Sequence, residues 1–314
     1  MRKITLFFLT VVICFSLLSA GCDNNSDRDI KTDATESMTE EPTPYPFTLN
    51  NTEILSKPEK VICLSPALAE IIYELGYAQT IIARSSYCNF PSEISLIKDV
   101  GSTANPDMDA IKNLKPDLVI SSTPIASKDI FALEQDGIKT LIIPAPTTLE
   151  GFSSVYTSLG LVFEGIFTGT EKGESTFSAI SKLLGNTENL NIGKFVYITE
   201  NFTAAGGNTF ESAVLSCFGT NIAKDSDGYG FDTELLSENQ PDVIIVNNKY
   251  TKDNISGNET LGQLDAVING RIIFVDNLFF ERPTGRIMDL INDMIRDYQN
   301  LKRENTTDIS TANQ

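Results

Sequence analysis

Residues 108–120 read M-D-A-I-K-N-L-K-P-D-L-V-I, and residues 233–246 repeat the pattern as T-E-L-L-S-E-N-Q-P-D-V-I-I-V. In both copies an acidic residue, Asp109 or Glu234, stands seven positions before the proline of a Pro-Asp pair. Apolar residues give the first part of each copy one helical face, and proline cannot continue that helix. The apolar run after Pro-Asp lacks the polar alternation of a half-exposed strand. Each copy therefore predicts a short helix that leads into a buried parallel strand.

The two copies are separated by about half of the chain, which indicates two similar lobes rather than a solenoid of short repeats. Around each copy, strand-like and helix-like segments alternate at short spacing, as at 60–75 in the first half and 194–217 in the second. Such alternation predicts parallel sheets with helices on both faces, which is the α/β class. We therefore expect Asp109 and Glu234 at equivalent places, one on each lobe.

The N-terminal segment has the form of a secretory signal. Arg2 and Lys3 precede an apolar run at 4–18 that is too short to predict a membrane span, and small residues lead to Gly21-Cys22. This junction resembles a bacterial lipobox, in which the cysteine takes a diacylglycerol and becomes the mature N-terminus. We predict a signal peptide at 1–21, lipidation of Cys22 and a location at the extracytoplasmic face of the cell membrane. The alternative is a secreted protein cleaved near Ala20 without a lipid.

Composition divides the rest of the chain. Residues 22–56 are rich in Asp, Asn, Ser, Thr, Glu and Pro, which predicts a disordered tether. An N-terminal α/β lobe at 57–150 and a C-terminal α/β lobe at 192–304 follow, with a disordered tail at 305–314. Between the lobes, apolar residues recur at helical spacing, the pattern breaks at Thr168-Gly169, and a second helix follows, so 151–191 is predicted as a helical linker. A single rigid crossing predicts less hinge closure than two or three flexible strands.

Charge and missing residue types exclude several functions. There are 42 acidic and 24 basic side chains, and the net charge of −18 opposes binding to nucleic acid or to anionic lipid. The chain has no histidine, which removes catalysis with a histidine base, histidine-ligated haem and the usual ligands of zinc and manganese receptors. Beyond the signal peptide and Cys22, three cysteines remain, and an odd number argues against a disulfide framework. We predict no metal site and no resident cofactor.

Two other classes of function stay open on the residues alone. Paired carboxylates would allow an extracytoplasmic hydrolase such as a glycosidase, although nothing in the sequence places two acids in one cleft. The segment 169–175, G-T-E-K-G-E-S, lacks the spacing of a phosphate loop. A passive surface adhesin is the third class. We predict that the protein is not an enzyme.

Six segments together resemble one protein family. They are 61–76, 108–120, Leu159-Gly160 with Thr168-Gly169, 206–222, 233–246 and the F-F-E-R-P of 279–283. In these segments the chain is similar to the substrate-binding proteins of ABC importers for cobalamin, ferric siderophores and related chelates, and the resemblance spans 57–301. It implies the class III periplasmic-binding-protein fold, in which two Rossmann-like lobes are joined by a single long helix and the ligand lies in the cleft between them. The implied partners are the importer permease with its ATPase and a small metal chelate, and we expect a monomer.

The resemblance also implies a role for the two repeated acids. In that family an acid on each lobe docks onto arginines of the permease, and the matching positions are Asp109 and Glu234. A carboxylate and a guanidinium form a directional, bidentate pair, which suits docking. The alternative is that each acid only stabilises its own helix. A carboxylate in the first turn interacts favourably with the helix dipole by about 0.3–1 kcal/mol.

The expected ligand site lies in the loops that follow the parallel strands. The predicted ligand-binding residues there are Ser65, Pro66, Tyr87, Ser122, Phe202, Phe280, Glu281 and Arg282. Tyr87 and the F-E-R-P loop look most like the cobalamin-binding branch, so cobalamin or another corrinoid is the first expected cargo. For Tyr87 and Phe280, packing in the core is an equal alternative. Arg84 and Arg282 are the only cations near these loops, and because arginine suits a carboxylate or catecholate chelate, a ferric siderophore is the alternative cargo.

Overall fold

The computed structural model describes residues 42–312, and for 188–189 and 304–312 it describes the backbone alone. The predicted signal peptide, the lipidation site Cys22 and the first part of the predicted tether therefore lie outside the described residues. No helix within the described range is long and apolar enough to cross a membrane.

The first lobe contains a parallel sheet of five strands, preceded by a short hairpin. Its elements are β1 (Phe47–Leu49), β2 (Thr52–Ile54), β3 (Val61–Cys63), α1 (Pro66–Glu74), β4 (Ile81–Arg84), α2 (Ser92–Ser95), β5 (Lys98–Asp99), β6 (Gly101–Ser102), β7 (Asn105–Pro106), α3 (Met108–Leu114), β8 (Leu118–Ser121), α4 (Ser127–Glu134) and β9 (Lys139–Ile142), with a 3₁₀ turn at Ala78–Thr80. The sheet order is β5-β4-β3-β8-β9, so the chain begins in the middle, builds one edge and then crosses to the other. Ligands of such sheets bind where the strand order reverses, here beside β3.

The hairpin corrects the predicted tether, which was extended too far toward residue 56. β1 and β2 pair antiparallel, with Phe47 opposite Ile54, and Asn50 and Asn51 adopt the positive φ angles of a tight hairpin turn. The Thr52 hydroxyl donates to the carbonyl of Thr140, which fastens the hairpin to β9. An Asn-Asn turn between short alternating segments is a hairpin signal that the polar composition of the region concealed.

The linker between the lobes is the long helix α5 (Leu149–Gly185), and it is interrupted at Gly165, where φ is +72°. A Cβ on Gly160 would lie 2.1 Å from the carbonyl oxygen of Gly169, and one on Gly173 would lie 2.5 Å from the Cα of Thr157. In a straight helix residues 160 and 169 would be about 13 Å apart. The chain therefore folds back at Gly165, not at Thr168-Gly169 as predicted, and glycines let the two arms touch.

Both arms of α5 pack into the core shared by the lobes. The ring of Phe152, on the first arm, meets Phe177 of the second arm at 5.0 Å between centroids and Phe210 of the C-terminal lobe at 5.2 Å. The Tyr156 hydroxyl donates to the carboxylate of Glu74 in α1 of the first lobe. The crossing between the lobes is thus a packed helical pair, and the predicted long helix is confirmed.

The second lobe contains a parallel sheet of four strands. Its elements are β10 (Lys194–Ile198), α6 (Phe210–Leu215), β11 (Thr220–Asn221), β12 (Val243–Asn247), α7 (Lys252–Ser256), α8 (Asp265–Ile268), β13 (Ile272–Val275), α9 (Leu278–Glu281) and α10 (Ile287–Ala312), with 3₁₀ turns at Asn186–Asn189, Thr233–Ser237 and Leu261–Gln263. The sheet order is β11-β10-β12-β13. With one parallel sheet in each lobe and α5 between them, the predicted α/β architecture of two lobes is confirmed.

The last helix corrects the predicted tail at 305–314. Its backbone continues to Ala312, because no glycine or proline interrupts the chain between residues 287 and 312. Met294 and Leu290, earlier in α10, are buried in the core and hold the helix against the lobe.

The two copies of the Pro-Asp repeat serve the same local purpose. Asp117 precedes β8, and its carboxylate accepts the backbone N–H of Lys60 at 2.8 Å, just before β3. Asp242 precedes β12, and its carboxylate accepts the backbone N–H of Lys194 at 2.7 Å, at the start of β10. Each aspartate therefore satisfies a strand-end donor of the neighbouring parallel strand. The two copies therefore match in local structure as well as in sequence.

Candidate functional site

The repeated acids occupy equivalent, exposed positions. Asp109 is the second residue of α3, whose N-cap Asp107 accepts the N–H of Ala110 at 2.9 Å. Glu234 is the second residue of the 3₁₀ turn Thr233–Ser237, whose N-cap Asp232 accepts the N–H of Glu234 at 3.0 Å. Neither the Asp109 nor the Glu234 carboxylate makes a hydrogen bond or an ion pair with any described residue. Both remain available to a partner.

A cavity of about 700 Å³ opens at the carboxyl ends of the second sheet. Its walls come from the loop after β9, the loops after β10 and β13, and the start of α6, and the lining residues are Ala145, Pro146, Thr147, Thr199, Glu200, Asn201, Thr203, Asn208, Thr209, Phe210, Glu211, Gly228, Tyr229, Asn277, Phe280 and Glu281. Because residues 145–147 belong to the chain leaving the first lobe, the cavity lies where the two lobes meet. Its volume is in the range of small-molecule sites.

One wall of the cavity is built on α6. Glu211 lies in its first turn and is 8% exposed, and the Tyr229 hydroxyl donates to its Oε1 at 2.8 Å. Burial, reinforced by the negative Glu211 carboxylate, raises the pKa of Tyr229 well above its ordinary value. Tyr229 therefore keeps its phenol proton, which it donates to Glu211.

The opposite part of the wall follows β13. The Tyr197 hydroxyl donates to Oδ1 of Asn277 at 2.9 Å, and Nδ2 of Asn277 donates to Oε1 of Glu281 at 2.7 Å. Phe280 packs on the Tyr197 ring at 5.3 Å and is 6% exposed. This chain of hydrogen bonds fixes the Glu281 carboxylate at the cavity. Of the eight predicted ligand-binding residues, Phe280 and Glu281 line this cavity.

The predicted residues of the first lobe have mostly structural surroundings. Ser65 is buried, and its hydroxyl lies 2.8 Å from that of Ser122 while accepting the Ser122 N–H at 2.6 Å. Pro66 begins α1 and is half-buried. Tyr87 is 57% exposed, so its predicted alternative as a core residue is wrong. None of these four lines the 700 Å³ cavity.

Phe202 and the two arginines also point elsewhere. The Phe202 ring packs on Tyr250 at 4.1 Å between centroids. Arg282 donates to the side chain of Asn89 at 2.7 Å and lies 4.0 Å from Glu70. Arg84 donates to the carbonyls of Ile94 and Ser95 and pairs with Asp99. Both arginines are held by protein partners and neither lines the cavity.

A buried carboxylate, not anticipated from the sequence, links the lobes. Glu70 in α1 is 2% exposed and accepts the Thr284 hydroxyl at 3.1 Å, just before α10. Its Oε1 has no hydrogen-bond partner among the described residues and lies 3.8 Å from Arg286. Burial outweighs the arginines and raises the pKa of Glu70. One helix turn later, Glu74 accepts the N–H of Gly285 at 2.9 Å, so two acids of α1 hold the start of α10.

A second, smaller cavity belongs to the first lobe. It measures about 340 Å³ and lies at the carboxyl end of β8, lined by Thr103, Ala104, Pro106, Thr123, Pro124, Ile125, Ala126 and Asp129. Each lobe thus has a concave surface at the carboxyl ends of its strands. Within the described part of the chain, no group of three or more Cys, Asp or Glu side chains is placed to hold a metal ion.

Three comparisons relate this geometry to known proteins. A model of the periplasmic binding protein family matches residues 61–278, from the first residue of β3 to the first of α9. An uncharacterized ABC transporter substrate-binding lipoprotein of Bacillus subtilis, YvrC, is 25% identical over 300 residues, which cover 89% of this chain and 92% of the relative. A vitamin B12-binding protein of Vibrio campbellii is 25% identical over 254 residues, covering 78% and 91%.

The fold has solved counterparts. A possible iron-binding (periplasmic solute-binding) protein of Staphylococcus epidermidis superposes with a TM-score of 0.67 at 20% identity, covering 77% of this chain and 99% of that one. The region matched by the family model contains both sheets and α5.

Proposed function

Because the chain belongs to the periplasmic binding protein family, we propose that it is the substrate-binding protein of an ABC importer and that its cargo is a metal chelate. The first cargo we propose is cobalamin or another corrinoid, bound in the cavity where the lobes meet. The alternative is a ferric siderophore in the same cavity, which the likeness to a possible iron-binding protein supports. Capture and release of a chelate need no catalysis, so we propose no enzymatic step.

The observation that carries this proposal is the cavity itself. Its 700 Å³ are lined by apolar rings, Phe210 and Phe280, alternating with hydroxyl, amide and carboxylate groups. Sites of that composition hold large organic ligands through apolar contact and fix their orientation by a few polar groups. A corrinoid supplies the ligands of its own cobalt and carries amides at its periphery. A protein that binds it therefore does not need histidine to coordinate the metal.

Delivery requires contact with a permease, and we propose Asp109 and Glu234 as the contacts. Their equivalent helix positions and unpaired carboxylates support this role. With one acid on each lobe, a permease would contact both lobes at once. The ATPase of the importer would act through the permease.

We further propose that a lipid on Cys22 holds the protein at the extracytoplasmic face of the cell membrane, where the folded part acts as a monomer. The similarity to the Bacillus subtilis substrate-binding lipoprotein supports the anchor. The predicted polar tether before residue 43 would give the lobes reach from the membrane surface.

Calorimetric titration of the full-length protein in detergent tests the proposal. The panel contains cyanocobalamin, cobinamide, a ferric trihydroxamate and a ferric tris-catecholate. We expect binding of at least one corrinoid with a Kd below about 1 μM. Heat from a siderophore and none from corrinoids would replace the first cargo by the alternative. Silence across the panel, together with turnover of a chromogenic glycoside, would replace the importer by a hydrolase.

A further inference from the structure

We infer that the cavity selects its cargo by net charge: it takes neutral or cationic chelates that carry hydrogen-bond donors, and it rejects chelates whose net charge is negative. This inference rests on the proposed function, since it names the chemical class of the cargo at that same site. It separates the two cargo classes, because corrinoids carry amide donors at their periphery whereas many ferric siderophores are anions.

The charge of the wall is one-sided. Three carboxylates line the cavity, those of Glu200, Glu211 and Glu281, and the lining contains neither lysine nor arginine. An anionic group on the cargo would therefore meet like charge inside a partly desolvated space, where charges are screened less than in bulk water.

Two cations that neighbour this wall are paired with other residues. Lys249 pairs with Glu200 at 3.3 Å, which neutralises only that rim carboxylate. Arg282 follows Glu281 directly but turns to Asn89 at 2.7 Å and to Glu70. An anionic cargo would have to break an existing pair to use either of these two cations.

Glu211 gives the second, independent sign of a ligand. It is more than nine-tenths buried, and one of its oxygens accepts the Tyr229 hydroxyl. Its other oxygen, Oε2, makes no hydrogen bond with any described residue although the side chain lines the cavity. An ionised carboxylate can only accept hydrogen bonds, so Oε2 offers the cargo an acceptor and no donor. A donor on the cargo would satisfy it.

Glu281 presents a second fixed acceptor. Asn277 donates to one of its oxygens at 2.7 Å, and the amide of Asn277 is held in turn by Tyr197. The free lone pairs of both carboxylates are therefore positioned before any cargo arrives, and preorganised groups discriminate more sharply than mobile ones. Amide or ammonium N–H groups match these acceptors, and carboxylate or catecholate oxygens do not.

Tyr229 is consistent with the same selection. It is the phenol in the cavity that a ferric iron with an open coordination position would use as an anionic ligand. Burial and the adjacent Glu211 carboxylate raise its pKa, so the phenol keeps its proton and does not offer that anionic ligand. The cavity is therefore suited to a chelate whose metal is already saturated.

The test uses two pairs of chelates in which one member carries an additional carboxylate and therefore one more negative charge. The first pair is cyanocobalamin and the monocarboxylate obtained by hydrolysing one of its peripheral amides. The second pair is N-acetyl-ferrioxamine, which is neutral, and N-succinyl-ferrioxamine, which carries a carboxylate. The full-length protein in detergent is titrated with all four by calorimetry. For whichever pair binds, we expect the neutral member to bind at least about tenfold more tightly, a difference of about 1.4 kcal/mol.

Matched variants locate the cause of the preference. Glu211→Gln and Glu281→Gln keep the side-chain shape and an acceptor oxygen while removing the charge. Each variant should therefore reduce the ratio of the two affinities within a binding pair at least about threefold. Glu134→Gln, on an exposed face of α4, should leave it unchanged. Equal affinity within a binding pair, or tighter binding of the acid, would overturn the charge selection and leave the proposed function standing. A preference that both glutamine variants retain in full would also overturn it, because the carboxylates would then not be its source. Failure of all four chelates to bind would overturn the proposed function instead.

Discussion

Asp109 and Glu234 hold the same position in the two lobes, each the second residue of a short helical segment whose first turn is capped by an aspartate side chain. The N-caps Asp107 and Asp232 accept hydrogen bonds from backbone N–H groups of the first turn. The carboxylates of Asp109 and Glu234 are therefore not needed to satisfy these donors. Both acids are left exposed and unpaired among the described residues. This equivalence supports a shared external role for the pair.

If the pair docks onto a permease, the double change Asp109→Ala with Glu234→Ala should leave cargo affinity unchanged and reduce transport. Removing one partner of a buried charge pair at an interface costs about 2–5 kcal/mol, so uptake by cells should fall more than about tenfold. Uptake of radiolabelled cargo and calorimetry on the purified variant measure the two quantities. Glu134→Ala with Glu259→Ala, two exposed acids elsewhere, is the control and should transport normally. Normal uptake by the Asp109/Glu234 double variant would end the docking assignment.

The lipid anchor makes a prediction about fractionation. Cys22→Ser removes the thiol that would carry the diacylglycerol, so the protein should move from the membrane fraction to the medium. Cys14→Ser changes a cysteine within the predicted signal peptide and should leave the protein with the membranes. Immunoblots of the two fractions decide the matter. Membrane association of the Cys22 variant at the wild-type level would show that no lipid on Cys22 holds the chain there.

The glycines of α5 predict opposite effects on stability. A Cβ at position 173 would lie 2.5 Å from backbone atoms of Thr157, so Gly173→Ala should lower the free energy of unfolding by about 2 kcal/mol or more. Gly185 has helical φ and ψ angles and open space around its Cα, so Gly185→Ala should raise that free energy by about 0.5 kcal/mol. Urea denaturation followed by circular dichroism measures both. Equal stability of the two variants would contradict the close contact of the helix arms.

The buried Glu70 predicts a pH dependence of stability. Because burial raises its pKa in the folded state above the ordinary value of 4.5, its contribution to stability is greatest at low pH and is lost as pH rises through the folded-state pKa. The free energy of unfolding of the wild type relative to Glu70→Gln should therefore increase as pH falls from about 7 to about 5.

Asp99 supplies a control of opposite sign. The backbone N–H of Gly101 lowers the pKa of Asp99, so stability from that group is lost only as pH falls below its ordinary value of 3.8. Urea titrations of wild type, Glu70→Gln and Asp99→Asn from about pH 7 down to about pH 3 make the comparison. A constant difference between wild type and Glu70→Gln at pH 7 and pH 5 would contradict the raised pKa.

The sequence predicted the sheets well because their signals are local. Leu118–Ser121 and Val243–Asn247 are buried at every position, as the uninterrupted apolar runs indicated. Ser65 and Pro66 mark the start of α1, where the proline takes the first helical position and the Ser65 hydroxyl makes no capping hydrogen bond. Such features need no knowledge of distant contacts.

The lining of the cavity was harder to predict, since the direction of a loop side chain depends on distant partners. Arg282 turns away from the cavity because Asn89, 193 residues earlier, accepts its hydrogen bond. Glu211 looked like an ordinary first-turn acid, and only the approach of Tyr229 and the loop after β9 shows that it lines a cavity. The break in α5 was predicted at Thr168-Gly169 instead of Gly165 because the two glycines look alike in the sequence. The close approach of Pro44 to Gly165 could not be foreseen.

The central claim is that a metal chelate binds where the lobes meet, against the wall formed by Glu211 and Phe280. A crystal structure of the protein with cyanocobalamin, or with a ferric siderophore if titration favours one, tests this claim most directly. We expect density for the chelate within the cavity, in contact with Phe280 and with a donor group facing Glu211. A chelate bound outside residues 145–147 and 277–281, with this cavity left to solvent, would contradict the account.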